Sequence, residues 1–420
     1  MVFIKPCKMA FKQECIVIKN WKRNTVYISI MQFTLLVVNF FLITIISREY
    51  GAETYGEYAS SKSLSVLIGT ATVLSLALVV TKILAKNKEN SKLMFSNSYY
   101  LIIRNFFVAL IILFPITFLF QRDFSITALF LLGFVFNEMI HVALAYYQAR
   151  GDFVTSSKQI FVRTLLYGIG AWIIVYQGFS ITVLISYQVF MLFSFFIFAH
   201  ISIPKSDKLF ETRPTKQITE NLQDSGKKMV LTTFSSALIS ELDIVLLGLF
   251  YFGPALGVLA WSRRILEIIF QLLAASLDIL FPELSRLNNK IEIHNIRRRL
   301  RKMCLLTFTI PIIFYFSKDI VGNIIVSLLG NTFSEVALQT SMILFCLPLM
   351  VWSRINIIFS RALGFEINIT KILIFSSLLS YFVYFLFHNF SISNPAILSI
   401  VVSQIIISLL TSYSFRSSYV

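Results

Sequence analysis

The chain alternates long apolar stretches with short polar ones, and the rhythm runs almost from end to end. About twelve apolar runs stand out, roughly 26–47, 58–84, 97–120, 125–148, 159–177, 179–203, 228–252, 255–281, 302–328, 337–362, 370–389 and 395–415. Each is near the ~20 residues a helix needs to cross the hydrocarbon of a bilayer. Lipid offers backbone N–H and C=O groups no partner, so each run is predicted to be helical. Two polar segments break the rhythm: a basic tail over 1–25 and a central segment over 204–227, "PKSDKLFETRPTKQITENLQDSGK". Between and after them lie two sets of six runs, 26–203 and 228–420. The pattern predicts an all-α polytopic membrane protein of two six-helix bundles, with the central segment as a loop.

The two sets share a signature. "YGAETYGEYASSKSL" (50–64) lies on "FGPALGVLAWSRRIL" (252–266) with one gap, matching Gly51 to Gly253, Gly56 to Gly257 and Lys62 to Arg263. Both pieces fall between the first and second runs of their half, as an internal duplication would place them. Gly51 and Gly56 suit a sharp reversal between helices. Tyr50, Tyr55 and Tyr58 suit a membrane interface, rings buried and hydroxyls wet.

Composition agrees: 57% of the 420 residues are hydrophobic and 14% charged. The net charge of +16 raises the question of a nucleic-acid partner, and its distribution answers it. If the N-terminus is inside, 29 of the 37 Lys and Arg fall on segments of the same side. That is the positive-inside asymmetry, and it places both termini in the cytoplasm. "NIRRRLRK" (295–302) then reads as a topogenic loop, and no nucleic acid is expected. Cys7, Cys15, Cys304 and Cys346 have no ligand spacing and the four His are scattered, so neither a metal nor a cofactor is expected. The segments on the other side are short, the longest being about 48–57 and 329–336. An enzyme working there on a sugar needs a larger domain, so no catalytic residue and no enzymatic activity are expected.

Three stretches carry a resemblance. "ISREYGAETYGEY" (46–58), "SELDIVLLGLFYFGPALGVLAWSRRILEIIFQLLAASLDILFPELSRL" (240–287) and "AYYQARGDF" (145–153) resemble the Wzx-type O-antigen flippases, the polysaccharide-transporter branch of the MOP superfamily. The resemblance implies two bundles facing each other across a V-shaped cavity and alternating access in a bacterial inner membrane. It implies an undecaprenyl-pyrophosphate-linked oligosaccharide as substrate, H⁺ or Na⁺ coupling left open, and an O-antigen polymerase and chain-length regulator as further partners. In the related lipid II flippases, basic residues of the second and eighth helices line the cavity, and Lys62 with Arg263 and Arg264 match those places. The alternatives are a MATE-type drug or cation exporter, which calls for an acidic cavity, and an O-antigen polymerase or membrane glycosyltransferase, which calls for a large outer loop.

Charges within apolar runs cost about 2.5–3.5 kcal/mol each at a helix centre on insertion scales, so they face bundle interiors or water. Lys62 has no acid within its own helix turn and is expected either to line the cavity or to snorkel outward. Glu267 follows Arg263 by four residues and Arg264 by three, a structural pair for one of them. The other guanidinium is then left for a phosphate or acidic sugar, and Arg354 is a further cavity candidate. Asp243 is expected to serve ion coupling or to form a fixed pair with an arginine of the eighth helix, with Glu241 pointing away. Glu138 and His141 share a face as a proton relay or an interhelical contact. Arg104 and Arg163, close to helix ends, are expected to snorkel.

Overall fold

The apolar rhythm becomes helix throughout the computed structural model, which describes residues 6–86, 91–120, 122–204, 215–250, 253–278, 290–362, 366–389 and 395–419. The first helix, α1 (Pro6–Thr72), is broken at Gly51. There φ is 79°, a value that costs a residue with a Cβ and that glycine adopts freely. The break separates a first limb (6–50) from a second (52–72). After it come α2 (Leu76–Lys86), α3 (Ser91–Leu119), α4 (Phe124–Ala149), α5 (Phe153–Tyr176) and α6 (Ile181–Ser202). The second half holds α7 (Lys216–Phe250), α8 (Pro254–Asp278), the interrupted run α9 (Lys290–Leu306), α10 (Thr309–Phe316) and α11 (Lys318–Leu329), the bent pair α12 (Val336–Leu344) and α13 (Leu347–Ala362), then α14 (Glu366–Asn389) and α15 (Pro395–Tyr419). No strand occurs among the described residues.

Among the described residues, seven helices are long and apolar enough to cross a membrane, nine with the bent pairs counted. That count takes α1 as one and omits α7 and α8, which carry Glu241 and the Arg263–Arg264–Glu267 cluster. With α1 divided at Gly51 and those two included, the described residues form the twelve passes expected. The exterior is what a lipid-facing surface requires. Phe107, Ile111, Phe114 and Phe118 run down one face of α3, each more than half exposed. An apolar stripe of this kind on the outside of a folded chain is stable against hydrocarbon, not water. The protein is a multi-pass membrane protein.

Each half has its own core. Leu76, Val80, Phe95, Leu101 and Leu144 centre the first, and Leu266, Ile343, Ile355 and Phe359 the second. A third cluster joins the halves at the hairpin end, where Ile46, Tyr55 and Tyr58 pack with Trp261, Phe333 and Val336. Tyr55 and Tyr58 are therefore buried in the seam between halves instead of lying at the membrane interface. Trp261 is apolar enough to fill the seam, and its Nε1 donates to Ser47 Oγ at 2.6 Å. Gly56 and Gly257 meet here: a Cβ on Gly56 would stand 2.7 Å from the Gly257 nitrogen, and one on Gly257 would overlap the Ala52 carbonyl.

The second limb of α1 also packs along α7. Ser60 touches Gly248, Ser63 Oγ donates to Glu241 Oε2 at 2.6 Å, and the Ser75 and Thr233 hydroxyls are 2.5 Å apart. Glu241 thus reaches the opposite half. The central segment 204–227 departs from a simple loop: residues 205–214 lie outside the described residues, but helix begins at Lys216. It forms because Leu222 and Ile218 pack into the first half's core, and Asn97 Oδ1 accepts from Thr215 N–H and Thr219 Oγ1. α7 therefore belongs to both halves by contact.

Candidate functional site

Lys62 stands eleven residues beyond the turn glycine Gly51, and Arg264 eleven beyond Gly253. Gly253 has φ of 106°, so it reverses the chain as Gly51 does. At 1.5 Å per residue both charges lie about 16 Å along their helices, near half the ~30 Å hydrocarbon thickness. Between the halves at this depth lies a cavity of about 1290 Å³. Lys62 from α1, Arg264 from α8 and Arg354 from α13 all line it. Lys62 is exposed to it and makes no ion pair with a described residue. Among the described residues, no aspartate or glutamate lines the cavity.

The expected Arg263–Arg264 pair divides. Arg263 is buried, 2% exposed, with Nη2 donating to the Ser240 carbonyl at 3.5 Å and Nε 3.7 Å from Glu267 Oε1. It does not line the cavity; adjacent helical positions diverge by about 100°, so one turns inward and the other to the site. Arg264 Nη1 lies 3.1 Å from Glu267 Oε2. Glu267 was expected to neutralise one arginine and instead serves both, a single carboxylate between two guanidinium groups. Arg264 is the member of the cluster that faces the cavity.

Of the expected coupling residues, the Asp243 side chain lies outside the described residues. Glu138 is half-buried on α4 and does not line the cavity, whereas His141, one turn on, does. Arg163 corrects the expectation that it snorkels: it lines the cavity, with Nη1 donating to Asn137 Oδ1 at 2.8 Å. Its signal in the sequence was its spacing from Ile160, Thr164 and Tyr167, which share its helix face and the cavity. Arg104 stays outside, on the exposed side of α3, where it contacts Asn105. No group of three or more metal-ligating side chains occurs among the described residues.

The sequence profile of a family described as "Polysaccharide biosynthesis protein" matches residues 118–338, just over half of the chain. The chain belongs to that family. The match takes in Arg163 and Arg264; Lys62 and Arg354 flank it. A sequence comparison with curated proteins gives no match. Solved structures supply the fold. A multidrug-resistance MATE family transporter of the MOP superfamily, in an inward-facing conformation, superposes with a TM-score of 0.69 at 13% identity, over 93% of this chain and 98% of that one. The lipid II flippase MurJ, in an inward closed conformation, gives 0.68 at 17% identity over 93% and 87%. A MOP superfamily transporter from Pyrococcus furiosus, described as having a binding pocket of reverse polarity, gives 0.60 at 14% over 95% and 96%. This polysaccharide biosynthesis protein therefore has the fold of MOP transporters, two six-helix bundles about a central cavity.

Proposed function

We propose that the protein carries an undecaprenyl-pyrophosphate-linked oligosaccharide, a repeat unit of the O-antigen kind, from the cytoplasmic to the outer leaflet of a bacterial inner membrane. The observation that carries this reading is a mid-depth cavity holding Lys62, Arg264 and Arg354 and, among the described residues, no lining carboxylate. A pyrophosphate needs positive charge where water is scarce, and a guanidinium offers a permanent, planar fork to its oxygens. Membership of a polysaccharide biosynthesis family supports a saccharide substrate, and the likeness to a lipid II flippase supports a lipid-linked one. The cavity reaches Gln148 and Phe153, at the end of α4 and start of α5, while the hairpin end is sealed by the Trp261 seam. With both termini cytoplasmic, this is the state that loads from the cytoplasm. Transport follows when the halves part at the seam and close at the other end, the substrate shifting the balance by binding the two states differently. Glu138 and Asp243 are the coupling residues in this proposal. A cation exporter calls for the opposite charge in the cavity.

The test is genetic and chemical. In a strain lacking the gene, single lipid-linked units accumulate on the cytoplasmic leaflet and surface polysaccharide is lost. Wild type restores export, whereas Lys62→Ala and Arg264→Ala restore a tenth of it or less at equal protein level. Normal delivery of single units to the surface in the deletion strain, with only long chains missing, would overturn the proposal in favour of a polymerase.

A further inference from the structure

Lys62 and Arg264 account for one part of the cavity; α4, α5 and α6 build another, with different chemistry. α5 turns Ser156, Ile160, Arg163, Thr164 and Tyr167 to the cavity, spaced by three and four residues so that they share one face. Asn137 on α4 and Gln188 on α6 flank that face. The Tyr167 hydroxyl donates to Gln188 Oε1 at 3.4 Å, and its ring stacks on Tyr187 with centroids 6.2 Å apart and planes 17° from parallel. Hydroxyls and carboxamides both donate and accept, so they pair with sugar hydroxyls in either sense. The fixed tyrosine ring offers an apolar surface for the C–H face of a pyranose. Arg163 adds one permanent charge to this neutral wall. Its bond to Asn137 holds the guanidinium in place, and among the described residues it forms no ion pair. A half-buried guanidinium held by an amide keeps most of its donors for a ligand and gains most from an anionic one.

We propose that the α4–α5–α6 wall is a saccharide subsite and that Arg163 selects oligosaccharides carrying an acidic substituent, a hexuronate carboxylate or a sugar-linked phosphate. The assignment rests on the transport reading given above and narrows its substrate class: the cargo is acidic in its sugar as well as in its pyrophosphate.

Binding to the full chain in lipid nanodiscs, measured calorimetrically, tests this with four probes: a glucuronate–N-acetylglucosamine disaccharide, its neutral methyl ester, N-acetylglucosamine 1-phosphate and inorganic pyrophosphate. The wild type binds the acidic disaccharide or the sugar phosphate at least tenfold more tightly than the ester, and whichever is preferred identifies the substituent. Arg163→Gln removes that preference and weakens the preferred acidic sugar at least tenfold more than it weakens pyrophosphate. Arg163→Lys, which keeps the charge without the fork, retains part of the preference and keeps the test open if the glutamine variant does not fold. Equal binding of acidic and neutral sugars by the wild type, alongside normal pyrophosphate binding, overturns the subsite and leaves the transport reading standing. Equal weakening of sugar and pyrophosphate by Arg163→Gln also overturns the subsite. Absence of binding by all four probes overturns both.

Discussion

Arg263 and Arg264 are neighbours with one acid between them, and their surroundings separate their roles. Arg263 is enclosed by α7 and α8, holding the Ser240 carbonyl and one oxygen of Glu267. Removing its guanidinium takes a donor from the Ser240 carbonyl and a neighbour from Glu267 in a buried setting, and a buried polar group left without its partner costs about 1–3 kcal/mol. Arg264 faces the cavity, and its loss leaves Arg263 and Glu267 paired. Arg263→Gln is therefore expected to lower the thermal stability and folded yield of detergent-purified protein, whereas Arg264→Gln keeps both and loses export. Equal melting temperatures for the two variants would contradict this division. Glu267→Gln follows from the same cluster. It leaves two guanidinium groups without their shared carboxylate, so the variant is expected to melt lower than wild type. Added inorganic pyrophosphate should raise its melting temperature more than that of the wild type, because the anion then supplies the missing charge.

At the scale of elements, the second pass is interrupted between the second limb of α1 and α2, at Leu74 and Ser75. Their φ angles of 64° and 47° are uncommon for residues with side chains. The interruption is held from outside: Asn105 Nδ2 on α3 donates to the Thr72 carbonyl at 2.7 Å, and Ser75 pairs with Thr233. Asn105→Ala strands the Thr72 carbonyl and is expected to cost about 1–3 kcal/mol, read as a lower melting temperature. The positions of the helices were legible in the sequence because period and length are local properties, as at Gly51, where a glycine between two apolar runs marks the reversal. What was not legible depends on neighbours. Residues 216–227 look like a polar loop until Leu222 finds the first half's core. Arg163 looks close to a helix end until α4 and α6 enclose it, since the depth of a cavity is not written along any single helix. The one-gap repeat matched Lys62 to Arg263, yet counting from the two turn glycines without a gap gives Arg264, the residue that shares the cavity.

For the whole molecule, the decisive contact is where the halves cross. Gly56 and Gly257 let the second limb of α1 and α8 approach until backbone meets backbone, and Trp261 and Ser47 close the seam beside them. A close crossing without side chains stabilises the closed end through packing, and it separates without breaking a charged pair, as a cycle of opening requires. The cavity cations stand about 16 Å from this end, so substrate bound there can leave outward only if the crossing opens. Gly257→Ala places a methyl group on the Ala52 carbonyl. The contact cannot then form as it stands, and the balance shifts toward conformations parted at the hairpin end. Spin labels at Glu53 and Ala255, both exposed beside the crossing, report the separation. Wild type is expected to give a short, narrow distance distribution and Gly257→Ala a longer, broader one, with export lowered because the variant rarely returns to the loading state. An unchanged distribution would mean that the halves are held by the α1–α7 packing instead, and that the glycine crossing is not what governs closure.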